Sequence, residues 1–358
     1  MANFQYSQWG MTDLVPAFSQ TSQQNYLLQA LGIFEKEGSS DIRVSFDRLA
    51  ETNQSLLNTP KKRYSFEHNS TERGTATNYR VEIPYFLRHD SISAEDFQQG
   101  KRRPGTTEEE TYLDILGDYI QAHAKAHKRT VEAMYARVLF TGEVYAPYNP
   151  DEDLEDKDRK VIDYAASFDA PFMTETLDLN SSATLDVLEA FNGYLDRINA
   201  AADGLYSDIT RVVVFAGTDA FNKLRFHPSV KEYFSPTVSP LAEGNIITQR
   251  RDLLPNILAF TLPGMNVEVI KVIDPLLTAY LASNEMVMLP IFRAGTNAYQ
   301  HIYSPASTNS RLARTKIAQE YFSYLIENDL GEEKIYSEAG ILPVNHVTNM
   351  AMRITATI

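Results

Sequence analysis

The 358-residue chain contains no cysteine. Disulfides, thiolate catalysis, iron–sulfur clusters and cysteine-type zinc sites are excluded together, so stability must come from packing. No stretch approaches the roughly 20 apolar residues that a membrane-spanning helix needs. Met1 to Gly10 lacks the basic and apolar regions of a secretion signal, and the expectation is a protein made and kept in the cytoplasm. Positive charge is also short, because 33 Lys and Arg against 47 Asp and Glu leave a net charge of -14. Wrapping a phosphate backbone needs clustered cations, so free nucleic acid is a poor ligand for this chain.

Short motifs that carry chemistry are missing too. No G-x-S-x-G elbow is present, and the seven histidines are scattered. The peptide Ala216-Gly217-Thr218-Asp219 has one glycine, too few for a backbone phosphate cradle, and Thr218 or Asp219 reads more simply as a helix N-cap. His123 and His127 are spaced four apart, as a shared metal would require. No glutamate stands between them, and Lys125, Lys128 and Arg129 would oppose a cation, so an ordinary helix-face role is the better reading. The run Asp151 to Asp158 is rich in carboxylates but lacks the glycine at position six and the glutamate at position twelve of a calcium loop; it reads as a solvated acidic turn. No catalytic residue, metal or cofactor is expected, and the chain reads as a non-enzyme.

What is present is enough apolar residue, 43%, to bury a sizeable core in two or three domains. Residues 1 to 50 are Gln-rich, with isolated apolar anchors such as Phe4, Trp9, Leu14 and Phe18 and little periodicity. They read as an arm laid over something else, or as a layer on their own domain. From Lys61 strict alternation begins, with Tyr64, Phe66 and His68 on one face. After a turn of small polar residues it resumes with Tyr79, Val81, Ile83 and Tyr85, which predicts a hairpin with one apolar side. An isolated two-stranded ribbon is marginal in water, so this one needs a surface, its own domain or a neighbour's.

Gly100 to Gly105 reads as a hinge. Thr107 with Glu110 forms a capping box and Gly142 a stop, predicting one helix over 107–141 with the stripe Leu113, Leu116, Ile120, Ala124, Val131, Met134 and Val138. At 1.5 Å per residue it would be about 50 Å long. Strand-like runs at 143–148 and 160–168 flank the acidic turn. A second helix is expected over 183–202, then strands at 211–215, 258–262, 267–273, 278–282 and 285–289 with a short helix at 218–225, and last strands at 318–327 and 347–358. The class is α+β, a long helix beside one sheet and a second, more compact mixed domain.

This order of parts resembles the lambda-type major capsid proteins of tailed bacteriophages, the phage major capsid protein E family, whose members share the Hong Kong 97-like capsid fold. The likeness rests on Leu139-Phe140-Thr141-Gly142-Glu143 closing the long helix and on Arg211 to Tyr233 carrying Phe226-His227-Pro228-Ser229-Val230. It rests also on the strand through Asn284 to Pro290 and the tail Ser337 to Pro343 followed by Val347 to Ile358. The resemblance implies an N-terminal arm (1–50), an extended E-loop hairpin (51–86), a P-domain (87–182) with the spine helix, an A-domain (183–334), and a C-terminal strand (335–358) returning to the boundary between A- and P-domains.

It further implies a shell subunit that makes hexamers and pentamers with itself and contains double-stranded DNA without reading it. Inter-subunit contacts would fall on Arg63, Tyr64, Phe66, Glu67, Glu72, Arg73, Tyr79, Arg80, Val81, Glu82 and Ile83 of the hairpin, and on Phe4, Trp9, Leu14 and Phe18 of the arm. A separate scaffolding protein, a portal protein and a decoration protein are the implied partners, with no membrane. The implied place is the virion, after assembly in the host cytoplasm. The implied subunit is uncleaved, close to 40.5 kDa. An encapsulin-like compartment subunit and an oligomeric enzyme with an unrecognised site stay open as alternatives. If the ribbon lies across a neighbour, Tyr79→Asp with Val81→Asp should leave a folded subunit that fails to form shells.

Overall fold

The computed structural model describes residues 11–13, 26–50, 75–93, 112–145, 160–180, 187–233, 258–262, 264–327 and 332–358. The chain enters through β1 (Met11–Asp13), a short helix α1 (Leu27–Leu31) and β2 (Glu35–Gly38). It then forms β3 (Arg43–Ala50), β4 (Thr75–Glu82) and β5 (Tyr85–Ile92). The long helix α2 (Tyr112–Thr141) follows, then β6 (Glu143–Tyr145), β7 (Lys160–Asp163), α3 (Tyr164–Ser167), β8 (Met173–Asp178) and α4 (Val187–Ala202). Next come β9 (Ile209–Ala216), α5 (Thr218–Phe226), α6 (Pro228–Tyr233), β10 (Ala259–Thr261), β11 (Val267–Lys271), α7 (Pro275–Thr278) and β12 (Glu285–Phe292). The last elements are β13 (Tyr299–Tyr303), α8 (Ser310–Thr315), β14 (Phe322–Glu327), β15 (Glu333–Asn345) and β16 (Met352–Thr357).

These build two six-stranded sheets and two two-stranded ones, β3–β4 and β6–β7. The first runs β1-β14-β15-β13-β2, with β5 also paired to β15. The 13-residue β15 is its axis: residues 333–338 lie between β5 and β14, and residues 341–345 pair with β13. The second sheet runs β10-β11-β9-β12-β16-β8 and is mixed, with β11 parallel to β9 and β16 parallel to β8. Its central strand β9 carries the unbroken run Val212-Val213-Val214-Phe215-Ala216, because both of its faces are covered. Val213 and Phe215 pack toward α2, with the Phe140 and Phe215 ring centroids 5.5 Å apart. Val212, Val214 and Ala216 pack toward α4 and α5. The architecture is thus α+β, a long helix beside one sheet and a second mixed layer, as the sequence implies.

Helix α2 ends where expected. Gly142 has φ +73, which favours glycine, and an added Cβ would also push on the edge of the Phe172 ring, 2.6 Å away. The capping box at Thr107 and Glu110 lies outside the described residues. Helix α4 occupies the expected segment from Val187, and α5 starts at Thr218 with Gly217, not Thr218 or Asp219, as its N-cap.

Several expectations are corrected. The run 160–168 is strand only to Asp163, whose carboxylate then accepts the Ala166 N–H at 3.0 Å and caps α3. The run 278–282 is not a strand; Asp274 accepts the Leu276 N–H at 2.9 Å and Pro275 opens α7, so a local cap outweighs the apolar alternation. Strand 318–327 begins only at Phe322, and 347–358 opens with a short 3₁₀ turn at Thr348–Met350 before β16. Strand β4 is present, yet it pairs in antiparallel register with β3, Tyr79 opposite Phe46 and Val81 opposite Val44. The partner expected for it, 61–68, lies outside the described residues. Pro84 has no N–H to donate, and the strand breaks there before β5 resumes at Tyr85.

The chain crosses between layers more often than the sequence suggests. Residues 299–327, placed with the compact domain, run in the first sheet as β13 and β14, whereas β8 and β16 join the second sheet. Within the stretch expected as an arm, Leu28, Leu31, Ile33 and Phe34 are buried against α2, and the Phe34 and Tyr135 rings stack at 4.0 Å.

Candidate assembly surface

The ribbon β3–β4 is a two-stranded sheet of eight residues a side, joined through hydrogen bonds to no other described strand. At its base Arg43 meets Glu82, Nη2 to Oε2 3.1 Å, with both side chains largely in water, so the pair sets register more than it adds stability. Arg80 and Glu82 face solvent. Val81 and Ile83 do not: they are 7% and 4% exposed and belong to the subunit's own core with Leu139 and Ile341. The resemblance implies an inter-subunit contact for both; of the two surfaces that the alternation allows, the subunit's own core takes up the apolar face at this end of the ribbon. Tyr79 lies on β4 opposite Phe46. The other expected contacts, Arg63, Tyr64, Phe66, Glu67, Glu72 and Arg73 on the loop and Phe4, Trp9, Leu14 and Phe18 on the arm, lie outside the described residues.

Three buried polar anchors tie distant segments together around α2 and the first sheet, and none of them is legible as such in the sequence. Glu132, fully buried, accepts the Leu28 N–H at 2.7 Å and the Gln29 N–H at 3.2 Å, and the Gln29 side-chain amide donates to it at 3.1 Å. It thereby caps α1, whose own N-cap Tyr26 supplies no side-chain bond. The available signal was a carboxylate set among Val131, Met134 and Tyr135 on an apolar stripe.

His123 is the second anchor. Its Nε2 lies 2.7 Å from Asp90 Oδ2 and its Nδ1 2.8 Å from Ser337 Oγ, tying α2 to β5 and β15. Burial lowers its pKa in spite of Asp90, and the Nε2–H donates to the Asp90 carboxylate, which can only accept. The pair His123 and His127 thus serves packing: His127 stands edge-on to Tyr321, ring centroids 5.3 Å apart. Among the described residues no group of three or more His, Asp or Glu is arranged to hold a metal.

Glu338 is the third anchor. It accepts from the Tyr85 hydroxyl at 2.5 Å, the Tyr324 hydroxyl at 3.1 Å and the Ser307 and Thr308 N–H groups at 3.1 and 2.9 Å. One carboxylate thus joins β5, β14, β15 and the turn before α8. Such networks are expensive if incomplete and rigidifying when satisfied.

Burial pushes Glu132 up to about 7 against its three N–H donors, and it lowers His127 and His301 to about 4. The signs oppose one another. A carboxyl whose folded pKa is raised contributes stability that is full below pH 4.5 and lost as pH rises to 7. The two histidines, with depressed folded values, contribute stability that is full above 6.5 and lost as pH falls toward 4. The subunit is therefore expected to lose stability on acidification from pH 7 to 4.5, with Glu132 partly offsetting the loss. Glu132→Gln should make the fall in melting temperature between those pH values larger than in the unsubstituted chain; an unchanged or smaller fall, followed by circular dichroism, would count against this assignment.

The large apolar residues in solvent include Leu87, Leu113, Phe226, Ile273 and Ile317. They are dispersed over both layers, which suits contacts with several neighbours better than one pocket with one ligand. No described helix is long and apolar enough to cross a membrane.

The comparisons with known proteins define first a class, the structural proteins of bacteriophage heads. The chain belongs to the phage major capsid protein E family, whose model matches residues 10–356. Membership gives the protein a structural role as a capsid subunit. Among solved structures it is similar to the capsid protein of cyanophage A-1(L), at 12% identity and TM-score 0.49, covering 91% of each chain. It is similar also to that of the mature capsid of bacteriophage PhiM1, at 12% identity and TM-score 0.48, covering 94% of this chain and 89% of that one. The capsid of Ralstonia phage GP4 gives 11% identity and TM-score 0.46 over 91% and 88%. No curated protein matches the chain in sequence.

Proposed function

We propose that this capsid subunit assembles in the Hong Kong 97-like manner, as hexamers and pentamers in an icosahedral shell around double-stranded DNA. In this reading the ribbon and the N-terminal segment are the parts that reach over adjacent copies. The observation that carries it is the match of the family over residues 10–356, and the ribbon β3–β4 supports it. Two strands alone are marginal in water, and this ribbon pairs with no third strand among those described. A neighbour supplies the missing surface, and a heterologous contact of that kind closes into rings and shells.

The polar face then sets register while apolar burial, at about 25 cal/mol per Å², supplies most of the affinity. A separately encoded scaffolding protein, a portal and a decoration protein complete the assembly, which takes place in the host cytoplasm. The net charge of -14 suits a wall that holds DNA without adhering to it. Electron microscopy of the purified protein, with and without a co-expressed scaffold, tests the reading. Closed icosahedral particles are expected, and dispersed small particles under both conditions would sink it.

A further inference from the structure

The peptide Phe226-His227-Pro228-Ser229-Val230 ends α5 and begins α6. His227 Nδ1 accepts the Ser229 N–H at 3.3 Å, which in the neutral ring leaves the hydrogen on Nε2. His227 is 4% exposed, and that Nε2 has no partner among the described residues. A buried donor left unpaired is costly and calls for an acceptor. The ring lines a cleft of about 450 Å³ together with Leu179, Lys223, Phe226 and Ile358.

Phe226 stands 59% exposed at the rim, with the Arg225 guanidinium 5.6 Å and the Lys231 ammonium 5.7 Å from its ring centroid. Asp219 and Lys223 are the charged side chains that line the cleft, and Arg225 and Lys231 add two further cations at its Phe226 rim. An apolar floor, an unpaired N–H donor and a cationic rim on a chain of net charge -14 describe a socket for an acidic peptide with an apolar residue in it. The chain carries such a peptide: Asp151 to Asp158 holds six carboxylates and one lysine around Leu154.

We propose that the cleft beside α5, bounded by His227, Pro228, Leu179 and Ile358, receives the acidic run Asp151 to Asp158 of a second copy of this chain. A carboxylate of the run accepts the His227 Nε2–H, Leu154 meets Phe226 and Leu179, and the remaining carboxylates face Lys223, Arg225 and Lys231. A phosphate backbone would satisfy the cations but offers no aliphatic group for the floor. The contact is heterologous, socket on one subunit and peptide on the next, as ring closure requires. The inference rests on the shell reading and names one of its interfaces.

The absence of native cysteine makes disulfide mapping unambiguous. Phe226→Cys and Leu154→Cys subunits are prepared separately, mixed under assembling conditions and oxidised. A covalent dimer of mixed composition is expected, reduced roughly tenfold when Lys223→Glu and Lys231→Glu are added to the Phe226→Cys subunit. Shells formed in normal yield without the mixed dimer overturn the inference and leave the shell reading standing. A bond formed only within one chain, when both cysteines are placed together, overturns it equally. Duplex DNA binding that the charge reversals abolish, with no mixed dimer, assigns the cations to phosphate and does the same. If the unsubstituted chain forms no shell under any condition, the shell reading falls and takes the inference with it.

Discussion

Val81→Asp is expected to unfold the subunit, lowering its stability by about 3 to 5 kcal/mol, the usual cost of an uncompensated buried charge. Val81 is 7% exposed and packs with the core that also contains Ile83, Leu139 and Ile341, so an aspartate there is largely cut off from water. Native domains hold only about 5 to 15 kcal/mol in total, and expression as aggregate is the expected phenotype. Burial of Val81 favours the alternative in which the ribbon's base packs on its own subunit, so Tyr79→Asp with Val81→Asp is expected to destabilise the fold. Arg80, the neighbour in sequence, points into solvent. Arg80→Glu should change subunit stability by no more than about 0.5 kcal/mol and act on assembly alone. Thermal melts and sedimentation of both variants decide the matter: a Val81→Asp subunit that melts with the unsubstituted one would show that the ribbon's base is not held in the core.

Gly217→Ala is expected to be nearly as severe, about 3 kcal/mol. A Cβ at residue 217 would lie 2.2 Å from the Ala282 carbonyl oxygen and 2.6 Å from that of Ser283. Those atoms are backbone, and they cannot swing aside. The segment is also stitched down: the Gly217 N–H donates to Glu285 O at 2.9 Å, and the Asp219 and Ala220 N–H groups both donate to Ser283 O at 3.0 Å. Seating an extra methyl group means lifting the start of α5 off the turn before β12. Gly193→Ala is the control. Gly193 sits inside α4 with nothing within 4 Å of an added Cβ, and the change should stabilise by about 0.5 to 1 kcal/mol. Chemical denaturation of the pair should give opposite signs, and equal effects would refute the packing argument.

The elements legible in the sequence were those whose pattern is enforced by one dominant layer. Helix α2 shows its stripe from Leu116 to Val138 because those residues are buried, whereas Leu113, the first of the expected stripe, stands 62% exposed; β9 shows a continuous apolar run because both faces are covered. The strands that the sequence does not announce, among them β2, β8, β13 and most of β5, are short or carry charged residues such as Lys36, Arg88, Glu175 and His301. Their positions are fixed by pairing with distant segments, which leaves no local period to read. Strand β3 was legible in principle, since Val44 and Phe46 alternate with Ser45 and Asp47, but the stronger alternation at 61–68 drew the pairing there. The anchors Glu132, His123 and Glu338 illustrate the same limit. Each side chain's role depends on partners as distant in the chain as Leu28, Ser337 and Tyr85, and only the fold brings them together.

The place of β16 has a bearing on how the subunit is made. It is inserted between β12 and β8, so β8, synthesised far earlier, has no hydrogen-bonding partner in its sheet until residues 352–357 emerge from the ribosome. The second layer therefore cannot be completed in the order in which it is translated. Long-range pairing of this kind is slow to form and leaves strand edges exposed in the interim. A nascent chain lacking these residues is unfinished in its middle as well as at its end, and this postpones a complete second sheet until nearly all of the described chain has been made.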